Sequence, residues 1–271
     1  MKRDFRPWRR QQATSSRNGR GAKPEYNRWR DVCDTGLNLL FPPRCPLCET
    51  TVASDGLLPS FCAACAGKLM ASPTALCRRC GGSIPIGAIS SLACAQCRDL
   101  NFHFERAIPI GPYQHELRDV VVRMKEPSAD AVAAACGRLM AVRIREVLGD
   151  ELPDVLVFAP MHWRRRLQRR VNNAERLAQA SGLELQLPVL RRIVRCQRHT
   201  QKQSLLSADQ RRKNVRGAFG ISKRSSLAGI HVGLVDDTLT TGATADEIAR
   251  VLHESGARQV TVLLAARGVS N

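Results

Sequence analysis

Eight of the eleven cysteines fall into two matching sets whose spacing is that of a metal site. Cys45-x2-Cys48, thirteen residues, then Cys62-x2-Cys65 make the first set; Cys77-x2-Cys80, thirteen residues, then Cys94-x2-Cys97 make the second. Each cysteine recurs 32 positions later, which marks an internal duplication. A C-x2-C knuckle turns two thiolates toward one ion, and two knuckles complete the tetrahedron that structural Zn²⁺ prefers. Four thiolates leave no open coordination position, so the expected role is folding rather than catalysis. Pro46, Gly81 and Gly82 supply tight turns beside the knuckles. A segment this short and poor in apolar residues depends on metal, which contributes about 10–16 kcal/mol per site in finger peptides. Iron takes the same four ligands, and disulfides are the remaining alternative. Cys33, Cys136 and Cys196 stand outside both sets and read as ordinary thiols.

The second group with chemistry in it is Val235-Asp236-Asp237-Thr238-Leu239-Thr240-Thr241-Gly242-Ala243-Thr244. An apolar strand ends in two carboxylates, a Thr/Gly loop follows, and a helix begins. The carboxyl end of a parallel strand is where α/β sheets take ligands. Gly242 lets backbone approach a ligand closely, while the loop N–H groups and the helix dipole suit a phosphate. The hydroxyls of Thr240, Thr241 and Thr244 add hydrogen bonds. Asp236 and Asp237 can accept from vicinal ribose hydroxyls and favour a nearby Mg²⁺. One loop thus addresses both ends of a ribose 5-phosphate. A capped helix start after a strand would share this outline. A Walker-type NTPase is excluded, because no G-x4-G-K-[ST] occurs in the chain.

These residues need elements to hold them. ERAIPIG from residue 105 reads as a strand, HELRDVVVRMK as a helix and 128–148 as a second helix. DVLVFAP (154–160) has the continuous apolar character of a buried parallel strand. A helix is expected over 172–181, a strand over 229–237, a helix over 244–257 and a last strand over 259–267. This alternation predicts an α/β fold with right-handed crossovers and a mostly parallel sheet with flanking helices. Residues 41–100 show no long helical pattern and read as knuckles and short hairpins.

Charge is uneven. Ten Lys or Arg against two acids fall in residues 1–30, so about +8 of the net +18 sits on an arm that reads as mostly disordered. Such charge favours polyanions, whether nucleic acid or phosphorylated small ligands. No stretch of 18 apolar residues and no signal-type h-region occurs, so neither membrane insertion nor secretion is expected. Paired cysteines without a signal segment point to a reducing, cytoplasmic setting.

The loop Asp236–Thr244 resembles the type I phosphoribosyltransferase signature. Taken with the cysteine-rich head, the chain resembles the competence protein F (ComF/GntX-like) family over about residues 37–271. Ala159-Pro160-Met161-His162-Trp163-Arg164-Arg165 is similar to the family's segment after its second strand. Gln203-Ser204-Leu205-Leu206, followed by Arg211, Asn214, Val215, Gly217, Ala218 and Phe219, is similar to its Q-x2-L…R-x2-N-v-x-g-A-F stretch. Lys125 stands where the family has a lysine. The family's R-G-[FY]-N-Q departs here to Arg169-Arg170-Val171-Asn172-Asn173, and Lys125 is followed by Glu126-Pro127 rather than Phe.

The resemblance implies a domain plan of a basic arm at 1–36, a double zinc ribbon at 37–100 and a phosphoribosyltransferase-like domain at 101–271. It also implies binding of phosphoribosyl pyrophosphate (PRPP) with Mg²⁺ through Asp236, Asp237, Thr240, Thr241, Gly242, Ala243 and Thr244. Lys125 and Arg169 are the catalytic candidates at the pyrophosphate, joined by the stretch 195–203. His162 and His199 are acid–base candidates that read more readily as surface or packing histidines, and the run 164–170 as a solvated basic face. The implied setting is DNA uptake in natural transformation. The alternatives are a PRPP or nucleotide sensor without turnover, or a component handling single-stranded DNA; aromatic content of 4% is sparse for base stacking.

Overall fold

A computed structural model describes residues 42–53, 58–72, 74–84, 94, 97, 100–161, 171–198, 200, 206–222 and 226–268. The basic arm, His162, Arg169 and His199 lie outside the described residues. In chain order the elements are α1 (Ala63–Met70), β1 (Ala75–Leu76), β2 (Ser83–Ile84), β3 (Arg106–Pro112), α2 (His115–Arg123) and α3 (Asp130–Leu148). They continue with β4 (Val155–Phe158), α4 (Asn173–Leu185), β5 (Val194–Cys196), α5 (Ala208–Val215), β6 (Phe219–Ile221), β7 (His231–Leu239), α6 (Ala243–Glu254) and β8 (Gln259–Arg267).

Four strands make the parallel sheet in the order β3-β8-β7-β4. The central strands β7 and β8 are apolar runs because both of their faces are covered, which a half-solvated strand would not tolerate. Side chains alternate between faces with period two. Leu156, Val235, Leu263 and Ala265 enter one core with α2, α3 and α4. Val155, Val157, Leu234, Val262 and Leu264 enter the other, against Ile248 and Leu252 of α6 and Phe219 of β6. Helices α3 and α4 approach closely because Gly137 faces Ala180; a Cβ there would lie 2.6 Å from the Ala180 Cβ.

The expected strands and helices of the sheet are present, with three differences. Strand β7 does not end at Asp237 but runs to Leu239, because β8 extends alongside it and pairs Asp236 with Leu264 and Leu239 with Arg267. Region 41–100 contains a helix, α1, nucleated where the Cys62 sulfur caps the Cys65 N–H at 3.5 Å. The antiparallel pair β5–β6, with α5 between, follows α4; its strands are too short for a periodic signal.

The cysteine region sits against the β3 side of the sheet. Cys45, Phe61 and Leu69 join the core under α2 and α3. Cys77, Cys80, Cys94 and Cys97 form a separate cluster with Ile84 and Phe102.

Candidate functional site

A cleft of about 300 Å³ opens at the carboxyl end of the sheet. Its floor and one wall are Asp236–Leu239 of β7, the loop Thr240–Gly242 and the first turn of α6, Ala243–Ala245. The opposite wall is the end of β4 (Ala159, Pro160, Met161) and the start of α4 (Asn172, Asn173, Ala174). Cys196, Thr200, Val215 and Phe219 close the third side. All seven loop residues expected from the sequence therefore line one cavity, whose size suits a small ligand.

The loop is shaped by its own backbone. Gly242 adopts φ 81° as the residue capping α6, a conformation that costs a side chain energy. The Thr241 hydroxyl accepts from the Ala243 N–H at 3.4 Å. Asp236 Oδ1 accepts from the Asp237 N–H at 2.8 Å, and Asp237 Oδ1 from the Thr238 N–H at 2.7 Å. Asp236 reaches the cleft, yet its carboxylate is largely enclosed by protein. Burial first, then the charge of Asp237, pushes it well above the ordinary carboxylate range. Two adjacent carboxylates in that state are stabilised by a cation or by hydroxyl donors.

Two arginines brace the loop. Arg211 of α5 donates to Thr240 Oγ1 at 3.1 Å and to the Leu206 carbonyl at 2.9 Å. Arg267, at the end of β8 and only 5% exposed, donates to the carbonyls of Leu239 (2.7 Å), Thr240 and Gly268, and to that of Cys80 at 2.9 Å. Sequence reasoning assigns neither to the site. The signal that could have found Arg211 is the Ser207–Gln210 capping box, which opens α5 just ahead of it. Arg267 carries no local signal.

Opposite the loop, Asn173 is 8% exposed and its side-chain oxygen has no hydrogen-bond partner among the described residues. A buried acceptor of this kind calls for a donor, and here the cleft is where one can come from. The Asn172 amide donates to the Ala159 carbonyl at 3.2 Å, joining the two edges of that wall. Lys125 lies beyond the end of α2, exposed, and is not among the residues lining the cleft. Cys136 is buried, which pushes its thiol up to about 12, while Cys196 faces the cleft.

All eight knuckle cysteines are free thiols gathered in two groups of four, each within 4.8 Å. Sulfur separations are 3.6 Å for Cys48–Cys62, 3.6 Å for Cys77–Cys97 and 3.4 Å for Cys80–Cys94. Sulfurs about 2.3 Å from a central Zn²⁺ stand about 3.8 Å apart in a tetrahedron, so both groups fit the ion with little adjustment.

The double zinc ribbon domain family matches residues 36–99. Competence protein F of Haemophilus influenzae is 28% identical over 230 residues, covering 83% of this chain and 96% of that protein. The DNA utilization protein YhgH of Salmonella typhimurium is 31% identical over 227 residues with the same coverage, and that of Escherichia coli 30%. Among solved structures, a glutamine PRPP amidotransferase from B. subtilis shares 19% identity at TM-score 0.36, covering 54% of this chain and 30% of that one. A purine phosphoribosyltransferase from Pyrococcus horikoshii shares 16% identity at TM-score 0.29, covering 45% of this chain and 67% of that one. With DNA utilization protein YhgH 31% identical over 96% of that protein, the chain belongs to the family of YhgH and competence protein F, a double zinc ribbon followed by an α/β domain on a parallel sheet.

Proposed function

We propose that this protein binds PRPP with Mg²⁺ in the cleft at the end of β7 and serves DNA uptake or utilization, as the names of its relatives suggest. The observation that carries the reading is the convergence of Asp236, Asp237 and the loop Thr240–Thr244 on one cavity. In this reading the α6 N-terminus and loop N–H groups take the 5-phosphate. The acid pair takes the ribose hydroxyls and the Mg²⁺ that accompanies the substrate. The buried Asn173 oxygen supports a donor on the ligand at the opposite wall. Transfer would break the bond from C1′ to pyrophosphate and form one from C1′ to an acceptor nucleophile, with cationic side chains stabilising the departing charge. Lys125 and Arg169 remain the proposed cations for that step, and Zn²⁺ the proposed structural metal of both four-cysteine sites.

Calorimetric titration of the zinc-loaded protein with Mg²⁺–PRPP tests the proposal. Binding by the native protein and its loss in Asp236→Ala/Asp237→Ala is expected. Each charged hydrogen bond removed is worth about 1.5–3 kcal/mol, so affinity should fall at least about a hundredfold. No binding by the native protein would end the reading.

A second reading, PRPP sensing without turnover, has its own support: Lys125 does not line the cleft, and the 169–173 segment departs from the family pattern. Pyrophosphate release assayed over a panel of bases separates the two. DNA contact by the basic surface would show as a log–log salt slope corresponding to several released ions; a slope near zero rejects it. No helix among the described residues is long and apolar enough to cross a membrane, and we propose a cytoplasmic setting because paired C-x2-C cysteines are characteristic of metal sites in reducing compartments.

A further inference from the structure

We infer that the second four-cysteine site, and not the first, sets the geometry of the phosphate loop, with Arg267 as the positioning residue between them. The inference rests on the reading of Thr240–Thr244 as the phosphate loop.

Three contacts join the two places. The buried guanidinium of Arg267 is shared between the Cys80 carbonyl of the knuckle and the Leu239 and Thr240 carbonyls of the loop. No carboxylate accepts from Arg267 among the hydrogen bonds and ion pairs of the described residues, so its placement depends on those carbonyls. Phe102, which packs on the Cys77/Cys80/Cys94/Cys97 cluster, also lies against Gly242: a Cβ on that glycine would come within 2.8 Å of the Phe102 ring. Arg79, inside the knuckle, stands 6.0 Å over the same ring, and Phe104 stacks on it at 4.5 Å. Finally, the His103 N–H donates to Asp246 in the first turn of α6 at 2.6 Å.

The knuckle itself is held by a narrow turn. The Gly81 N–H donates to the Cys77 carbonyl at 2.8 Å and the Cys77 N–H to the Gly82 carbonyl at 2.7 Å, with Gly81 at φ 68° seated on Pro109 of β3. Metal bound to Cys77 and Cys80 keeps this turn closed. Its loss frees the Cys80 carbonyl and withdraws one acceptor from a buried arginine. The first site points elsewhere: Cys45 and its neighbours pack beneath α2 and α3, and Arg123 of α2 donates to the Pro46 carbonyl at 2.8 Å.

The test uses the full chain in three forms: Cys48→Ala (first site), Cys94→Ala (second site) and Arg267→Lys. Zinc content should be about one per chain in each cysteine variant and about two in Arg267→Lys, which leaves every thiolate in place. Lysine keeps the charge but cannot span the same carbonyls. Hydrogen exchange of the 238–246 backbone should therefore accelerate in Cys94→Ala and Arg267→Lys and stay native in Cys48→Ala. Affinity for Mg²⁺–PRPP should fall about tenfold in the first two, within the range usual for coupled sites. By reciprocity, Mg²⁺–PRPP should raise the zinc affinity of the second site by the same factor, measured by equilibrium competition with a chromogenic chelator in Cys48→Ala. Equal loop exchange in both cysteine variants, or native exchange in Arg267→Lys, overturns the inference. Should native protein fail to bind PRPP while loop exchange still follows the second site, the proposed function fails and the coupling stands. Should PRPP bind with an affinity and loop exchange indifferent to that site, the coupling fails and the function stands.

Discussion

Asp236 is a carboxylate held against its preference. Burial, then its neighbour Asp237, raises its pKa, so the folded chain holds this proton more tightly than the unfolded chain does. The associated stability is therefore full below the ordinary carboxylate value of about 3.9 and is lost as pH rises toward the raised folded value. Asp236→Asn should remove that dependence: at neutral pH the ligand-free melting temperature should hold or rise by about 2–4 °C per kcal/mol regained, while Mg²⁺–PRPP binding is lost. Thermal melts from pH 4 to 8 with and without ligand check both halves. Gly242 is the other residue that its position dictates. At φ 81°, with Phe102 where a Cβ would go, Gly242→Ala should destabilise by about 1–3 kcal/mol, read in a denaturant titration.

Two short elements carry the loop's supports. Helix α5 has eight residues and almost no apolar face, so it leans on its capping box: Ser207 Oγ accepts from the Gln210 N–H at 3.4 Å, and the Gln210 side chain accepts from the Ser207 N–H at 2.9 Å. Ser207→Ala should cost about 1 kcal/mol and loosen Arg211 from Thr240, which a thermal melt and a Mg²⁺–PRPP titration would register together. Helix α6 is tied to the turn before β6 by Glu247, which accepts from the Gly217 N–H at 2.8 Å and pairs with Arg250 at 2.7 Å. Burial opposes its ionisation, but Arg250 and that N–H prevail and its pKa is lowered. Its contribution is present above about 4.3, the unfolded value, and is lost as pH falls through the lowered folded value. Glu247→Gln should flatten the acid limb of the stability curve.

For the whole molecule, the zinc ribbons are a conditional part of the fold. Elemental analysis should find two zinc ions per chain. Protons compete with metal for thiolate, so zinc should be lost as pH falls. Chelation should melt the cysteine region. The sheet, with its two apolar cores, should keep most of its circular dichroism.

Much of this was legible in the chain. The 32-residue cysteine repeat announces its metal chemistry because knuckle geometry is local. Strands β4, β7 and β8 show as continuous apolar runs because parallel strands are buried on both faces. The acid pair and the Thr/Gly loop show because a strand, a turn and a helix start are consecutive in sequence. Other features had no local trace. The end of β7 is decided by its partner β8, and β5 and β6 are three residues each, held only by one another. The arginine bridging knuckle and loop lies 187 residues from Cys80, at what looks in sequence like the polar end of an apolar strand. Short-range periodicity and spacing set the elements and the ligand types. Which carbonyls a buried guanidinium joins is settled only when strands distant in sequence become neighbours in the sheet.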